Sequence, residues 1–204
     1  MLTLYYAPGA CSLAAHIVLE ESGETYAAKR VDLANGEQRS DAYRKINPQG
    51  RVPALVLDSG EAISENTAIL PYLGKRFGMW PQDPLGEVRA LSTIGFFAAS
   101  VHPAHAHVSR PERYASDSAL FANIQRMGRK TFHDYLRQID GRLAGRSWLG
   151  EQYSVLDPYA FVFYTWGVRR ELPMAELKSF AAFKDRMLAR PAVGRVVAEE
   201  HIAL

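Results

Sequence analysis

The chain has one cysteine, Cys11, among 204 residues. It follows an apolar run, Leu2–Tyr6, and the turn Ala7-Pro8-Gly9-Ala10, and it opens a helical pattern, Cys11–Ser22, closed by Gly23. A cysteine at a helix N-terminus meets free amides and the positive end of the helix dipole. Both favour a thiolate and lower the pKa from about 8.5. Tyr6 ends the strand and Ser12 follows the cysteine, so two hydroxyls compete for the same space. The plainer reading of Cys11 is a small buried hydrophobe, the common fate of a free cysteine. A single thiol excludes an intramolecular disulfide framework and any multi-cysteine metal cluster.

Two further steps bear on ligand chemistry. In Asn47-Pro48-Gln49-Gly50-Arg51-Val52-Pro53-Ala54-Leu55, a proline starts an apolar strand. Such a proline marks an edge, a strand start or a bend. A cis Val52-Pro53 bond would leave the Val52 N–H and C=O free for an extended ligand peptide, and a trans proline at a strand start is the plain alternative. In Ile63-Ser64-Glu65-Asn66-Thr67, a strand passes into a helix. The free amides of the first turn suit a carboxylate, Asn66 adds a donor, and Glu65 suits an ammonium. One end of an amino acid would be read at both its charges. The bland alternative is ordinary capping by Ser64 or Asn66.

His102, His105 and His107 lie within six residues. No cysteine or acid stands at a recognised ligand spacing, so ordinary helix-end histidines are expected rather than a metal site. Ser92, Gly95, Ala99 and His102 step by three, four and three, which places them on one helical face. That face is small. It would leave room for a ligand before His102 or suit close helix packing at a dimer interface. Tyr159, Tyr164 and Trp166 read as bundle core.

The elements that must position these groups change character near residue 80. Strands are expected at Leu2–Tyr6, Thr25–Leu33, Val52–Leu57 and Glu61–Ile63, with a hairpin turn at Asp58-Ser59-Gly60. Helices are expected at Cys11–Ser22, Glu37–Ile46 and Glu65–Phe77, where Pro71 lowers the regularity. The order is β-α-β-α-β-β-α. Residues 79–84 form a two-proline linker. Beyond it only helical periodicity remains, at Leu85–Val101, Ser118–Leu143, Val155–Leu172 and Phe180–Leu188. Two domains are therefore expected, 1–78 and 85–204.

Hydrophobic residues make up 48% and charged residues 23%, which excludes a disordered chain. The net charge of +2 is too mild to imply nucleic acid. The arginines of the second part are interspersed with acids, which reads as solvated helix faces. No apolar run approaches a membrane span and no basic leader precedes the first strand, so a cytoplasmic protein is expected.

The order of these motifs resembles the cytosolic glutathione transferases, most closely the bacterial beta class. The segments that carry the resemblance are LYYAPGACSLAAHIVLEESG, VDLANGE, INPQGRVPALVLDSGEAISENTAILPYL and YSVLDPYAFVFYTW. The resemblance implies a thioredoxin-like α/β domain with a mixed four-stranded sheet, followed by an all-helical bundle. It implies glutathione as co-substrate, a small hydrophobic electrophile, a homodimer and no metal. By position, Val52 and Pro53 would hold the cysteinyl backbone of glutathione, and Glu65 and Asn66 its γ-glutamyl end. Arg51 and Asn35 would be further contacts. Cys11 would sit beside the glutathione sulfur, with Tyr6, Ser12 and His102 as neighbouring catalytic candidates. Ser154-Val155-Leu156-Asp157 resembles the family's capping motif. Ser154 is expected to cap the Asp157 amide, and Asp157 to return to the Ser154 N–H.

The chain departs from the beta class in three places. Gly95 stands where Asn is frequent, the loop 34–37 is short, and Asn66 stands where Ser or Gly is usual. Three functions follow: conjugation of the glutathione thiolate to electrophiles, monothiol disulfide or peroxidase chemistry through a Cys11 mixed disulfide, and a non-catalytic ligand carrier.

Overall fold

The computed structural model describes all 204 residues. Strand β1 (Leu2–Tyr6) alternates buried and half-buried side chains, as a strand covered mainly on one face should. Strand β2 (Tyr26–Arg30) runs parallel to it, with Leu2 opposite Tyr26. Strand β3 (Ala54–Val56) lies antiparallel on the other side, with Leu4 opposite Leu55. Strand β4 (Ala62–Ser64) closes the sheet as a hairpin partner of β3. The order is β2-β1-β3-β4, the mixed four-stranded sheet expected of a thioredoxin-like fold.

Helix α1 (Leu13–Ser22) joins β1 to β2 and is buried at every residue from Leu13 to Leu19. A helix apolar all round must be covered all round. Here α3, α7 and α9 do so from the helical side while β1 lies beneath. Gly23 ends it with φ 71°, a left-handed position that costs glycine nothing. A single 3₁₀ turn at Glu37–Arg39 and a short α2 (Asp41–Arg44) stand where one helix over 37–46 was expected. The Ser40 hydroxyl caps Tyr43 N–H at 3.2 Å and restarts the chain. Helix α3 (Asn66–Arg76) carries Pro71 without ending there.

The helical half contains α4 (Pro84–Phe96), α5 (His102–Ser109), α6 (Phe121–Leu143), α7 (Leu156–Arg169), α8 (Lys178–Leu188) and α9 (Pro191–Glu199). Helices α4 and α5 are one rod joined by a wider π turn, Phe97–Val101. The expected helix Leu85–Val101 therefore runs on to Ser109. Helix α9 was not expected, because its apolar stripe is only Ala192, Val193 and Val196. No helix is long and apolar enough to cross a membrane.

The seam near residue 80 is a change of topology rather than a gap in packing. One core of 40 buried residues runs from Leu2 to Val196 through both halves, and Trp80 of the linker belongs to it. Met79 C=O accepts from Val155 N–H at 3.2 Å, and α3 comes so close that a Cβ at Gly74 would lie 2.9 Å from Val155. Asp157 anchors this junction. Its carboxylate accepts from Ser154 N–H at 2.8 Å and Leu149 N–H at 2.9 Å. The Ser154 hydroxyl takes the Leu156 N–H at 3.3 Å rather than the expected Asp157 amide, which bonds the Ser154 carbonyl instead. Full burial pushes the Asp157 carboxyl up to about 7 against the pull of those donors.

Candidate functional site

A cleft of about 690 Å³ opens between the sheet half and the helical half. Of the residues singled out from the sequence, Cys11, Arg51, Val52, Pro53, Glu65, Asn66 and His102 line it. Tyr6, Ser12 and Asn35 do not.

The three absentees have physical reasons. Ser12 is fully buried, and its hydroxyl pairs with both the N–H and the C=O of Ala7 at 3.1 and 3.2 Å. It knots the turn and has no proton to offer the cleft. Tyr6 points to the α1 side, where its ring lies 4.7 Å from His16 and its hydroxyl donates to Glu199 at 3.3 Å. Asn35 is exposed and folds its amide onto Asp32 at 2.7 Å.

The cysteine turn is held from a distance. Gly9, with φ 65°, donates its N–H to Glu200 at 2.8 Å and accepts the Trp166 indole N–H at 2.9 Å. A Cβ at Gly9 would collide with the Arg169 guanidinium. Cys11 itself donates its S–H to the Val52 carbonyl at 3.4 Å. Burial is the main cause that pushes its pKa up to about 12, and the Glu65 carboxylate adds to it. Arg110 and Arg51 only partly offset this. The thiolate expected from the helix N-terminus is thus replaced by a neutral thiol. Desolvation outweighs the dipole, and the helix proper begins two residues later, at Leu13.

The neighbouring wall is a backbone device. The Val52-Pro53 bond is cis. The Arg51 carbonyl is fixed by the Tyr43 hydroxyl and the Asn47 amide, both at 2.7 Å. The Val52 N–H has no acceptor within the chain. Glu65 adopts φ 70°, a strained conformation for a residue with a side chain, just where β4 passes into α3. Its side chain is exposed at the cleft. Asn66 is buried and donates to the Cys11 carbonyl at 2.9 Å, tying the start of α3 to the cysteine turn.

The opposite wall comes from α5, the segment after it, and the end of α7. His102 meets Trp166 edge-on at 5.0 Å. Burial is the main cause that lowers its pKa to about 4, and the charges of Arg51, Arg110 and Arg113 lower it further. His102 is therefore a neutral imidazole at physiological pH. His105 stacks on Trp166 at 4.0 Å, so His102 and His105 share that ring, while His107 stacks apart from them on Tyr114 at 3.8 Å. The expected face of Ser92, Gly95, Ala99 and His102 is broken by the π turn. Its wider winding carries Ala98, not Ala99, to the cleft beside His102, and leaves Gly95 with open space around it. Tyr164 lies in the core, while Tyr159 and Trp166 are buried and also floor the cleft.

Sequence reasoning missed Gln38, Arg39, Arg110, Arg113, Arg169 and Arg170, which also line the cleft. The arginines of the second half looked like solvated faces because each has acids nearby in sequence. The fold gathers four of them at one place.

A thioredoxin-like sheet with an unpaired Val52 N–H beside a cis proline, a carboxylate at a helix start and a half-buried thiol defines a class of proteins that handle a thiol-bearing peptide under a helical roof. Comparison with known proteins is more specific. Residues 9–76 match the family model described as glutathione S-transferase, N-terminal domain. The chain is 30% identical to the glutathione S-transferase GstA of Escherichia coli O157:H7 over 98% of both chains. A glutathione transferase homolog from Sulfitobacter with bound glutathione superposes with a TM-score of 0.92, at 32% identity over 100% of this chain and 99% of that one. A bacterial beta class glutathione S-transferase from Sphingomonas chungbukensis gives 0.87, at 31% identity over 98% and 100%. The chain belongs to the glutathione S-transferase family.

Proposed function

We propose that this protein binds glutathione along the Cys11–Val52–Glu65 wall and conjugates its thiolate to a small hydrophobic electrophile, forming a new sulfur–carbon bond while glutathione stays whole. Glu65 takes the γ-glutamyl ammonium, and the first turn of α3 takes the adjacent carboxylate. The Val52 backbone pairs with the cysteinyl residue, and Arg51 lies beside it. Asn66 acts indirectly by fixing the cysteine turn. The glutathione sulfur then lies near Cys11, whose neutral S–H donates to it and favours its thiolate. The thiolate attacks the electrophilic carbon, and either a leaving group departs or a neighbouring atom takes up a proton. Neutral His102, on the facing wall, would serve as a hydrogen-bonding neighbour rather than a base, since burial and the nearby arginines lower its pKa to about 4.

The observation that carries this reading is the S–H of Cys11, held as a donor at 3.4 Å from the Val52 carbonyl with its pKa pushed up. A protonated, half-buried thiol suits hydrogen-bond donation to another sulfur, whereas mixed-disulfide chemistry needs a thiolate. The test pairs glutathione calorimetry with a halonitrobenzene conjugation assay and intact mass after oxidised glutathione. Binding, turnover and an unchanged mass support the transferase. An adduct of one glutathione that disappears in Cys11→Ala supports the disulfide route. Binding without turnover supports a carrier.

We also propose that the chain pairs with a second copy in the cytoplasm and serves detoxification. Support for pairing comes from Leu85, Val88 and Leu91, which form an exposed apolar row on α4.

A further inference from the structure

Six arginines line the cleft, Arg39, Arg51, Arg110, Arg113, Arg169 and Arg170, against a single carboxylate, Glu65. Glutathione bound as a thiolate brings a net charge of −2. A cleft that served only glutathione and a neutral electrophile would keep a positive excess after loading. Unbalanced like charges repel one another and cost stability, so they persist where a ligand compensates them.

The excess is concentrated on the helical wall. Arg110 ends α5 and Arg113 lies on the following 3₁₀ turn, on the same wall as His102 and Tyr114. Neither guanidinium makes an ion pair, nor does Arg51 across the cleft; the ion pairs of the chain's lysines, other arginines and N-terminus all lie elsewhere. Arg113 feels burial first and then the charges of Arg110 and Arg51, which lower its pKa, while adjacent Glu112 opposes them only weakly. His102 feels the same three arginines. Three arginines without ion pairs thus line one cleft together with a neutral imidazole and the Trp166 and Tyr114 rings.

We infer that Arg110 and Arg113, facing Arg51, form an oxyanion subsite, so that the second substrate carries a carboxylate or similar anion beside its apolar body. This rests on the glutathione reading of the opposite wall. The anion has two possible sources, a small carboxylated electrophile or the glycyl carboxylate of a second glutathione. Guanidiniums bind both by the same charge-assisted hydrogen bonds.

Calorimetry on the intact protein distinguishes them without turnover. The protein loaded with S-methylglutathione is titrated with meta-nitrobenzoate and with the isosteric meta-nitrobenzamide, and each titration is repeated without the peptide. The expected result is a preference for the carboxylate of about tenfold, weakened by salt. It collapses in the Arg110→Ala/Arg113→Ala double variant and persists in Arg110→Lys/Arg113→Lys, which keeps the charge if the alanine pair disturbs the fold. If instead two S-methylglutathione molecules bind per chain, one of them lost in the alanine pair, the anion belongs to a second glutathione. Equal binding of benzoate and benzamide with only one peptide site overturns the subsite. So does a preference that the alanine pair leaves unchanged. Failure of S-methylglutathione to bind at all would strike the glutathione reading instead, and the titrations without peptide would still report on the arginines.

Discussion

The two walls of the cleft are built on opposite principles. The sheet wall is made of backbone: a cis-proline strand, a strained Glu65 at a helix start and a turn locked by Ser12 and Asn66. The helical wall is made of side chains, with aromatic rings under His102 and a rim of arginines from α5 and α7. Backbone recognition needs short contiguous motifs whose geometry tolerates little change. Side-chain recognition draws on residues far apart, each free to vary. A protein that must hold one fixed peptide and accept another molecule beside it divides naturally in this way.

The strongest way to break the comparison is at Glu65. Removing its carboxylate in Glu65→Ala should weaken glutathione by about 2–3 kcal/mol, or roughly a hundredfold in calorimetry, because a charge-assisted pair is lost. The meta-nitrobenzoate affinity of the helical wall should change far less. Equal losses on both walls would dissolve the distinction.

A second test probes the helical wall through pH. His102 and His105 have folded-state pKa values lowered to about 4 and about 3, chiefly by burial. Between the ordinary histidine value and those depressed ones, the unfolded chain binds protons that the folded chain does not. These two histidines should therefore lower stability as pH drops from about 6.5 towards 4, partly offset by Asp157, whose raised value of about 7 makes the folded chain bind a proton in the same range. Urea midpoints across that range should show the slope, and His102→Gln should reduce it. A slope that His102→Gln leaves unchanged would mean that this ring is solvated.

The mildest test is Ser12→Ala. Loss of a buried hydroxyl that serves Ala7 at both ends should cost about 1 kcal/mol in urea unfolding. Conjugation kcat/KM should stay within about twofold, since ~0.4 kcal/mol separates such rates. A large drop in turnover at full stability would return Ser12 to the chemistry.

What the sequence made legible follows the same division. The β-α-β-α-β-β-α succession was readable from local pattern, whereas the cis step at Val52-Pro53 was legible only through the order of the motifs and the resemblance they carry, since the local pattern alone favours a trans proline. Cys11 lines the cleft, but the thiolate that a helix N-terminus favours is not what its surroundings support. The dipole argument is local, whereas burial and the Glu65 charge come from the fold. Tyr6 was placed at the right strand end but faces the other side of the sheet, towards His16 and Glu199. The π turn hid the true face of α4 and α5, because one wide turn shifts every later residue around the helix. The arginine rim was invisible for a simpler reason: Arg51, Arg110 and Arg170 meet only after the chain folds.

The central claim is that Cys11 works as a protonated donor. As the only cysteine, it can be followed by its rate of alkylation with iodoacetamide against pH, with thiolate absorbance as a check. The account predicts an apparent pKa well above the ordinary thiol value, towards about 12, and no glutathione adduct at neutral pH. A thiolate already formed below neutral pH, together with a mass increase of one glutathione, would contradict it.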